Sequence, residues 1–79
     1  MATVRYFAAA RAAAGRTEES IDAVSLDDLV TTAADRHGER LALVLKACSF
    51  LVDGLSCRDG ATALDPSSTV DVLPPFAGG

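Results

Sequence analysis

Residues 25–38, "SLDDLVTTAADRHG", constrain the fold of this chain more than any other stretch. Ser25 can accept a hydrogen bond from the first helical turn, and Asp28 stands where a capping box needs a side chain that reaches back. Val24 and Leu29 occupy the two positions of a hydrophobic staple. Asp27 and Asp28 put negative charge in the first turn, where the helix dipole favours it. Leu26, Leu29, Val30, Ala33, Ala34 and His37 recur at helical spacing, and Gly38 supplies the stop. The pattern predicts a helix over 26–37 with one apolar stripe. That stripe must be buried against another layer.

The flanking segments read as strands, so the other layer is a sheet. "TVRYFA" (3–8) is rich in β-branched and aromatic residues. "AARAAAG" has high helix propensity but little length, and predicts one or two helical turns ending at Gly15. Residues 16–22 carry a weak strand pattern around Ile21, polar enough for a sheet edge. "RLALVLKA" (40–47) is continuously apolar, which by periodicity fits a buried helix or a strand. It is read here as a short helical segment entering a strand at 48–52. Asp53-Gly54 is a strong hairpin signal, returning the chain as a strand over 55–58. That turn sets Leu55 opposite Val52 and Cys57 opposite Phe50. "DGATALDPSS" is loop, with Leu64 as its core anchor and Asp65-Pro66 as a turn. "TVDVLP" (69–74) alternates, so Val70 and Val72 share a face, and Pro74 and Pro75 end it. The expectation is an α+β roll: a mixed sheet with the 26–37 helix across one face. Strands 3–8 and 69–74 should pair in parallel at its centre.

Seventy-nine residues support a single domain, 1–79. The formal net charge is −4, and six of the seven basic residues are arginine, Lys46 being the only lysine. No basic cluster is present to neutralise phosphates, so nucleic acid is not an expected partner. No apolar run approaches the roughly 20 residues that span a bilayer. The N-terminus lacks the pattern of a secretion signal, so the cytoplasm is the expected location and no membrane partner is expected. Cys48, Cys57 and His37 fall short of a tetrahedral zinc site. The hairpin register places the two cysteines diagonally, roughly 7–8 Å apart, too far for a relaxed disulfide. They read as small buried apolar residues. No Gly-rich phosphate loop ending in Lys-Ser/Thr occurs. The chain is thus expected to bind no cofactor or metal by itself.

The remaining feature is the end, "VLPPFAGG". Gly78 and Gly79 follow a rigid Pro74-Pro75 pair rather than a polar linker. Two glycines remove side-chain bulk and permit any backbone conformation. Residues 75–79 read as a flexible tail that reaches about 17 Å when extended. Such a thread could carry a carboxylate down a narrow channel of another protein, with Phe76 at its mouth. A carboxylate is a poor electrophile and must be activated, for instance by adenylation. The chain has no apparatus for that, so activation falls to a partner.

"VRYFAAARAAAG" near the start, "LVDG" at the hairpin and "VDVLPPFAGG" at the end resemble the small subunit of molybdopterin synthase, within the ubiquitin-like β-grasp sulfur carriers. The resemblance covers nearly the whole chain. It implies that a ubiquitin-activating-type enzyme adenylates Gly79 using ATP and magnesium. Sulfur from a persulfide donor then leaves a thiocarboxylate. The large synthase subunit accepts the tail, and the sulfur goes into the dithiolene of molybdopterin. Pro75, Phe76, Ala77 and Gly78 would then line the partner's channel, and Arg11 matches a position suited to a subunit contact. From the residues alone Arg11 reads rather as a solvated helix charge. The turn "DPSST" is less acidic than is common in the family, which bears on partner contacts through that turn. Three other readings stay open: a sulfur carrier for thiamine thiazole or cysteine formation, a ubiquitin-like protein modifier, and an interaction domain with an incidental Gly-Gly.

Overall fold

A computed structural model describes residues 1–75. Phe76, Ala77, Gly78 and Gly79, and with them the expected flexible tail, lie outside the described residues. The elements in chain order are β1 (Ala2–Tyr6), α1 (Ala8–Ala14), β2 (Glu18–Ile21), α2 (Leu26–His37), α3 (Glu39–Ala47), β3 (Ser49–Val52), β4 (Leu55–Cys57) and β5 (Thr69–Leu73). The sheet order is β2-β1-β5-β3-β4. β1 and β5 pair in parallel, Val4 opposite Val70, and the other pairings are antiparallel. The central parallel pair is the one expected, and the polar β2 is an edge strand.

Alternation decides the faces. Val4, Tyr6, Ile21, Val70 and Val72 point under the helices and are buried with Leu26, Leu29 and Ala33 of α2 and Leu41 and Leu45 of α3. The apolar run 40–47 is helix. Its two deepest residues, Leu41 and Leu45, are one turn apart and meet the same core. Leu64 packs against the core from its loop, as expected.

The α2 start follows the sequence in part. The Asp28 amide donates to Ser25 Oγ at 3.1 Å, and the Asp28 carboxylate reaches back to the Val24 amide at 3.0 Å. The staple does not form: Leu29 is buried, but Val24 is 74% exposed. The loop after β4 takes its place. It docks across the helix start, where the Asp27 amide donates to the Gly60 carbonyl at 2.8 Å and that of Leu26 to Thr62 at 3.0 Å. Loop backbone thus satisfies helix-end donors that a cap alone leaves free.

Several boundaries differ from expectation: β2 spans Glu18–Ile21 rather than 16–22, β3 begins at Ser49 rather than 48, and β4 ends at Cys57 rather than 58. β1 ends at Tyr6 rather than residue 8, because Phe7 becomes the cap of α1 and Ala8 turns to φ +50°. Gly15 closes α1 at φ +76°, in the left-handed region glycine favours. β5 stops at Leu73, one residue before Pro74, which has no amide to extend a ladder. At the hairpin both Asp53 (φ +51°) and Gly54 (φ +85°) are left-handed, the type I′ geometry that matches strand twist. Leu55 faces Val52 and Cys57 faces Phe50, the register read from sequence.

Candidate functional site

β5 is the middle strand, clamped by β1 on one side and β3 on the other. After Leu73 the chain passes through half-buried Pro74 to exposed Pro75. The C-terminal stretch therefore springs from the most firmly held strand. Its root is a fixed point at one end of the sheet.

The face of the sheet away from the helices surrounds that root. One row crosses all five strands: Glu18, Arg5, Asp71, Leu51, Ser56. Arg5 grips Asp71 with two bonds, Nε to Oδ1 at 2.6 Å and Nη2 to Oδ2 at 3.0 Å. The Arg5 guanidinium also lies 5.6 Å from the Phe7 ring centroid. Phe7 is 37% exposed, and Leu51 and Leu73 are half-buried. Leu73 sits one row nearer the root, beside Ser49. Phe7, Leu73 and Leu51 thus form an apolar ledge under the departing chain. A forked ion pair and a cation–π contact brace it.

Of the residues singled out from sequence, Pro75 lies at this root, and Phe76 to Gly79 fall outside the described residues. Arg11 is exposed on α1, which starts beside the end of β1 and packs against α3 and β5. Its guanidinium meets no carboxylate among the described residues. Arg11 therefore shares the tail's end of the molecule but is not part of the ledge.

A second polar cluster was not anticipated. Glu19 points inward from β2, its side chain only 2% exposed. Tyr6 Oη donates to its Oε2 at 2.6 Å, and Arg36 Nη1 to its Oε1 at 3.0 Å. Arg16 Nη1 stands 3.6 Å from the same Oε1, and His37 Nε2 bonds Oε2. The His37 ring meets Tyr6 edge-on, 6.0 Å between centroids. Burial alone would raise the Glu19 carboxyl, but hydrogen bonds from Tyr6, His37 and Arg36 outweigh it and hold the group below its ordinary range. Burial, with the bond to Glu19 added, pushes the Tyr6 phenol far above its ordinary value. His37 is the last residue of α2, as read from sequence, yet its ring serves this cluster. The available signal was phase: Glu19 is two residues from Ile21 and so must share its inward face.

The cysteines are half-buried and free rather than fully buried. Cys48 Sγ donates to the Val44 carbonyl at 3.1 Å, and burial raises its thiol pKa. Cys57 Sγ donates to Thr62 Oγ1 at 3.1 Å. Cys48 is thus held as a thiol rather than the nucleophilic thiolate. Among the described residues no three His, Cys, Asp or Glu side chains gather as a metal site, and no helix is long and apolar enough to cross a membrane.

Comparison with known proteins bears on what this arrangement is. No curated protein sequence matches the chain. Among solved structures, small archaeal modifier protein 1 from Methanosarcina acetivorans is 23% identical with a TM-score of 0.84, over 99% of this chain and 95% of that one. CysO of Mycobacterium tuberculosis gives 16% and 0.81, over 96% and 100%. Subunit 1 or 2 in the molybdopterin-converting factor complex of Helicobacter pylori 26695 gives 24% and 0.73, over 99% and 97%. These likenesses establish the ubiquitin-like β-grasp fold that the α+β roll anticipated. The ThiS family matches residues 4–79, from the third residue of β1 through both glycines, and the chain belongs to that family of ubiquitin-like sulfur carriers.

Proposed function

We propose that this chain carries sulfur on the carboxyl group of Gly79 for dithiolene formation in molybdopterin. A ubiquitin-activating-type partner adenylates Gly79 with ATP and magnesium. The outer sulfur of a persulfide donor attacks the acyl carbon and AMP departs; a thiol then cleaves the S–S bond to the donor, becoming part of a disulfide and leaving a thiocarboxylate. The large subunit of molybdopterin synthase then takes up Pro75, Phe76, Ala77 and Gly78 so that the sulfur reaches the pterin precursor. The chain itself supplies the thread, its fixed root and a docking ledge; catalysis belongs to the partners.

The observation that carries this reading is the match of the ThiS family through residues 78 and 79, set on a tail rooted in the central strand. The engaged state of the internal groups supports it: Cys48 is protonated by its surroundings, and Glu19, His37 and Tyr6 are bonded to one another. A thiocarboxylate needs no side-chain base on its carrier. The complex of two converting-factor subunits from Helicobacter pylori supports the choice of partner class. The likeness to CysO and to an archaeal modifier keeps cysteine formation and protein modification as the competing acceptors.

The test is to produce the chain with an adenylating enzyme and a sulfur donor, then measure intact mass. An oxygen-to-sulfur exchange localised to Gly79 is expected. The thiocarboxylated protein is then offered to a large synthase subunit with cyclic pyranopterin monophosphate. Formation of molybdopterin supports the reading. Sulfur transfer only to a cysteine precursor, or only amide conjugates on other proteins, overturns the pathway; an unmodified Gly79 overturns the carrier.

A further inference from the structure

Cys48 and Cys57 are the only cysteines of the chain, and both line one cavity of about 350 Å³ with Ser49, Phe50, Ser56 and Arg58. Cys48 caps α3 in an extended conformation, two residues before Phe50, and Phe50 pairs with Cys57. Alternation turns these three side chains to one face, and all three are half-buried against the core. The thiols are thus diagonal neighbours at the open end of the β3–β4 hairpin. Each acts as a hydrogen-bond donor, Cys48 Sγ to the Val44 carbonyl and Cys57 Sγ to Thr62 Oγ1, both at 3.1 Å. The sulfur lone pairs are left for another partner.

Diagonal Cα atoms lie about 7–8 Å apart, with the Cβ atoms somewhat closer. A disulfide requires Cβ atoms about 3.8 Å apart. A metal ion between two thiolates inserts two bonds of about 2.3 Å between the sulfurs. Counted from Cβ to Cβ, such a bridge spans a diagonal for which a direct S–S bond is too short. The donor set then selects the ion. Thiolates are soft ligands that favour Cu(I), zinc or iron–sulfur clusters. Zinc closes a tetrahedron of four ligands, and among the described residues no third His, Cys, Asp or Glu joins the pair. Cu(I) is satisfied by two soft donors. On two thiolates it leaves one net negative charge, and Arg58 lines the same cavity with no carboxylate partner among the described residues.

We propose that Cys48 and Cys57 together form a two-coordinate site for Cu(I). Each thiol releases its proton to solvent, and a lone pair of each sulfur forms one bond to copper. Copper enters and stays as Cu(I), so no oxidant or reductant takes part. β4 is a three-residue edge strand held in the sheet by β3 alone, and the ion ties it to the end of α3. The site uses no part of the C-terminal stretch, so it stands or falls separately from the carrier function.

The experiment uses the full chain, reduced, freed of reductant and kept without oxygen. It is titrated with Cu(I) against a chromophoric Cu(I) chelator. The chain should withdraw one copper per monomer, and native mass spectra should show a monomer holding one copper. Cys48→Ser and Cys57→Ser should each weaken binding at least about a hundredfold, the upper end of what disturbing only a metal's outer shell costs. Circular dichroism checks that the variants fold. Alkylation of the native chain gives a readout independent of the variants: Cu(I) should protect Cys48 and Cys57 together. Copper left on the chelator, copper held only between two chains, protection of one cysteine alone, or a folded single variant that binds as tightly as the native chain would each overturn the proposal. Displacement of the copper by equimolar Zn(II) would overturn the choice of ion.

Discussion

Glu19→Gln tests whether the buried cluster holds β2 to α2. The side chain is nearly isosteric, so packing against Tyr6 and His37 is kept while the charge is lost. In the native protein the carboxylate accepts from Tyr6 at 2.6 Å, from Arg36 at 3.0 Å and from His37. A hydrogen bond to a charged group contributes about 1.5–3 kcal/mol. The amide keeps one acceptor oxygen but turns a donor toward groups that themselves donate. Arg36 is 46% exposed and can recover water, which limits its share. The expected net loss at pH 7 is about 2 kcal/mol, or about 8–16 °C in Tm for a domain of this size. The pH dependence supplies the sharper test. The folded-state pKa of Glu19 is below its unfolded value, so its stabilisation is fully present above about pH 4.5 and fades as pH falls through the folded value. Urea unfolding from pH 7 to pH 3 should therefore show a steeper decline for the native chain than for the variant. A variant with unchanged Tm at neutral pH, or with the same acid slope as the native chain, would refute the reasoning.

Tyr6 is the only tyrosine, and its folded-state pKa is raised far above the ordinary 10.0, so its contribution is present below pH 10 and is lost as pH rises. Phenolate absorbance should therefore appear together with loss of far-ultraviolet circular dichroism, and separate ionisation of a folded tyrosine near pH 10 would contradict the cluster. Leu51→Asp puts a charge on the ledge beside Asp71 without touching the core, so Tm should change by no more than about 1 kcal/mol equivalent. Its affinity for an adenylating or synthase partner, measured by calorimetry, should fall at least about tenfold if that face docks, since 1.4 kcal/mol corresponds to that factor. Gly78→Val lies beyond β5 and should leave unfolding unchanged, yet block sulfur loading because a β-branched residue stiffens and thickens the thread; normal loading of this variant would show that no narrow channel reads the position.

Much of this architecture was legible because its signals are local. The α2 cap, its dipole charges and its Gly38 stop lie within one stretch of the chain, and α2 spans the residues that pattern marks. Asp53-Gly54 fixed both the turn and the register of β3 with β4. What the sequence hid depends on distant chain segments. Val24 fits a staple by position, but the loop through Gly60 and Thr62 already covers the helix start, so the valine stays in water. Phe7 and Ala8 look like strand residues, and only the need to turn over the sheet end makes them the start of α1. The Glu19 cluster draws Tyr6, Arg16 and the adjacent pair Arg36 and His37 from three separate parts of the chain, and no spacing rule joins β2 to the end of α2. The tail motif was conspicuous in sequence, but its mount between β1 and β3 is a property of the sheet order.

On the proposed reading, that mount gives a physical reason for putting the chemistry on the terminus. A small domain buries only about 60–65% of its unfolded surface, so each buried polar group must be matched by a partner. Here no buried side-chain nitrogen or oxygen among the described residues lacks one. A base or thiolate poised for reaction would have to be withdrawn from such a bond, at the cost of an unsatisfied group in a marginal core. On that reading, placing the reactive carbon beyond β5 avoids that conflict. The central strand holds the chain up to Leu73, so Pro74 and Pro75 leave from a fixed point of the sheet. On that reading stability and reactivity are separated in space.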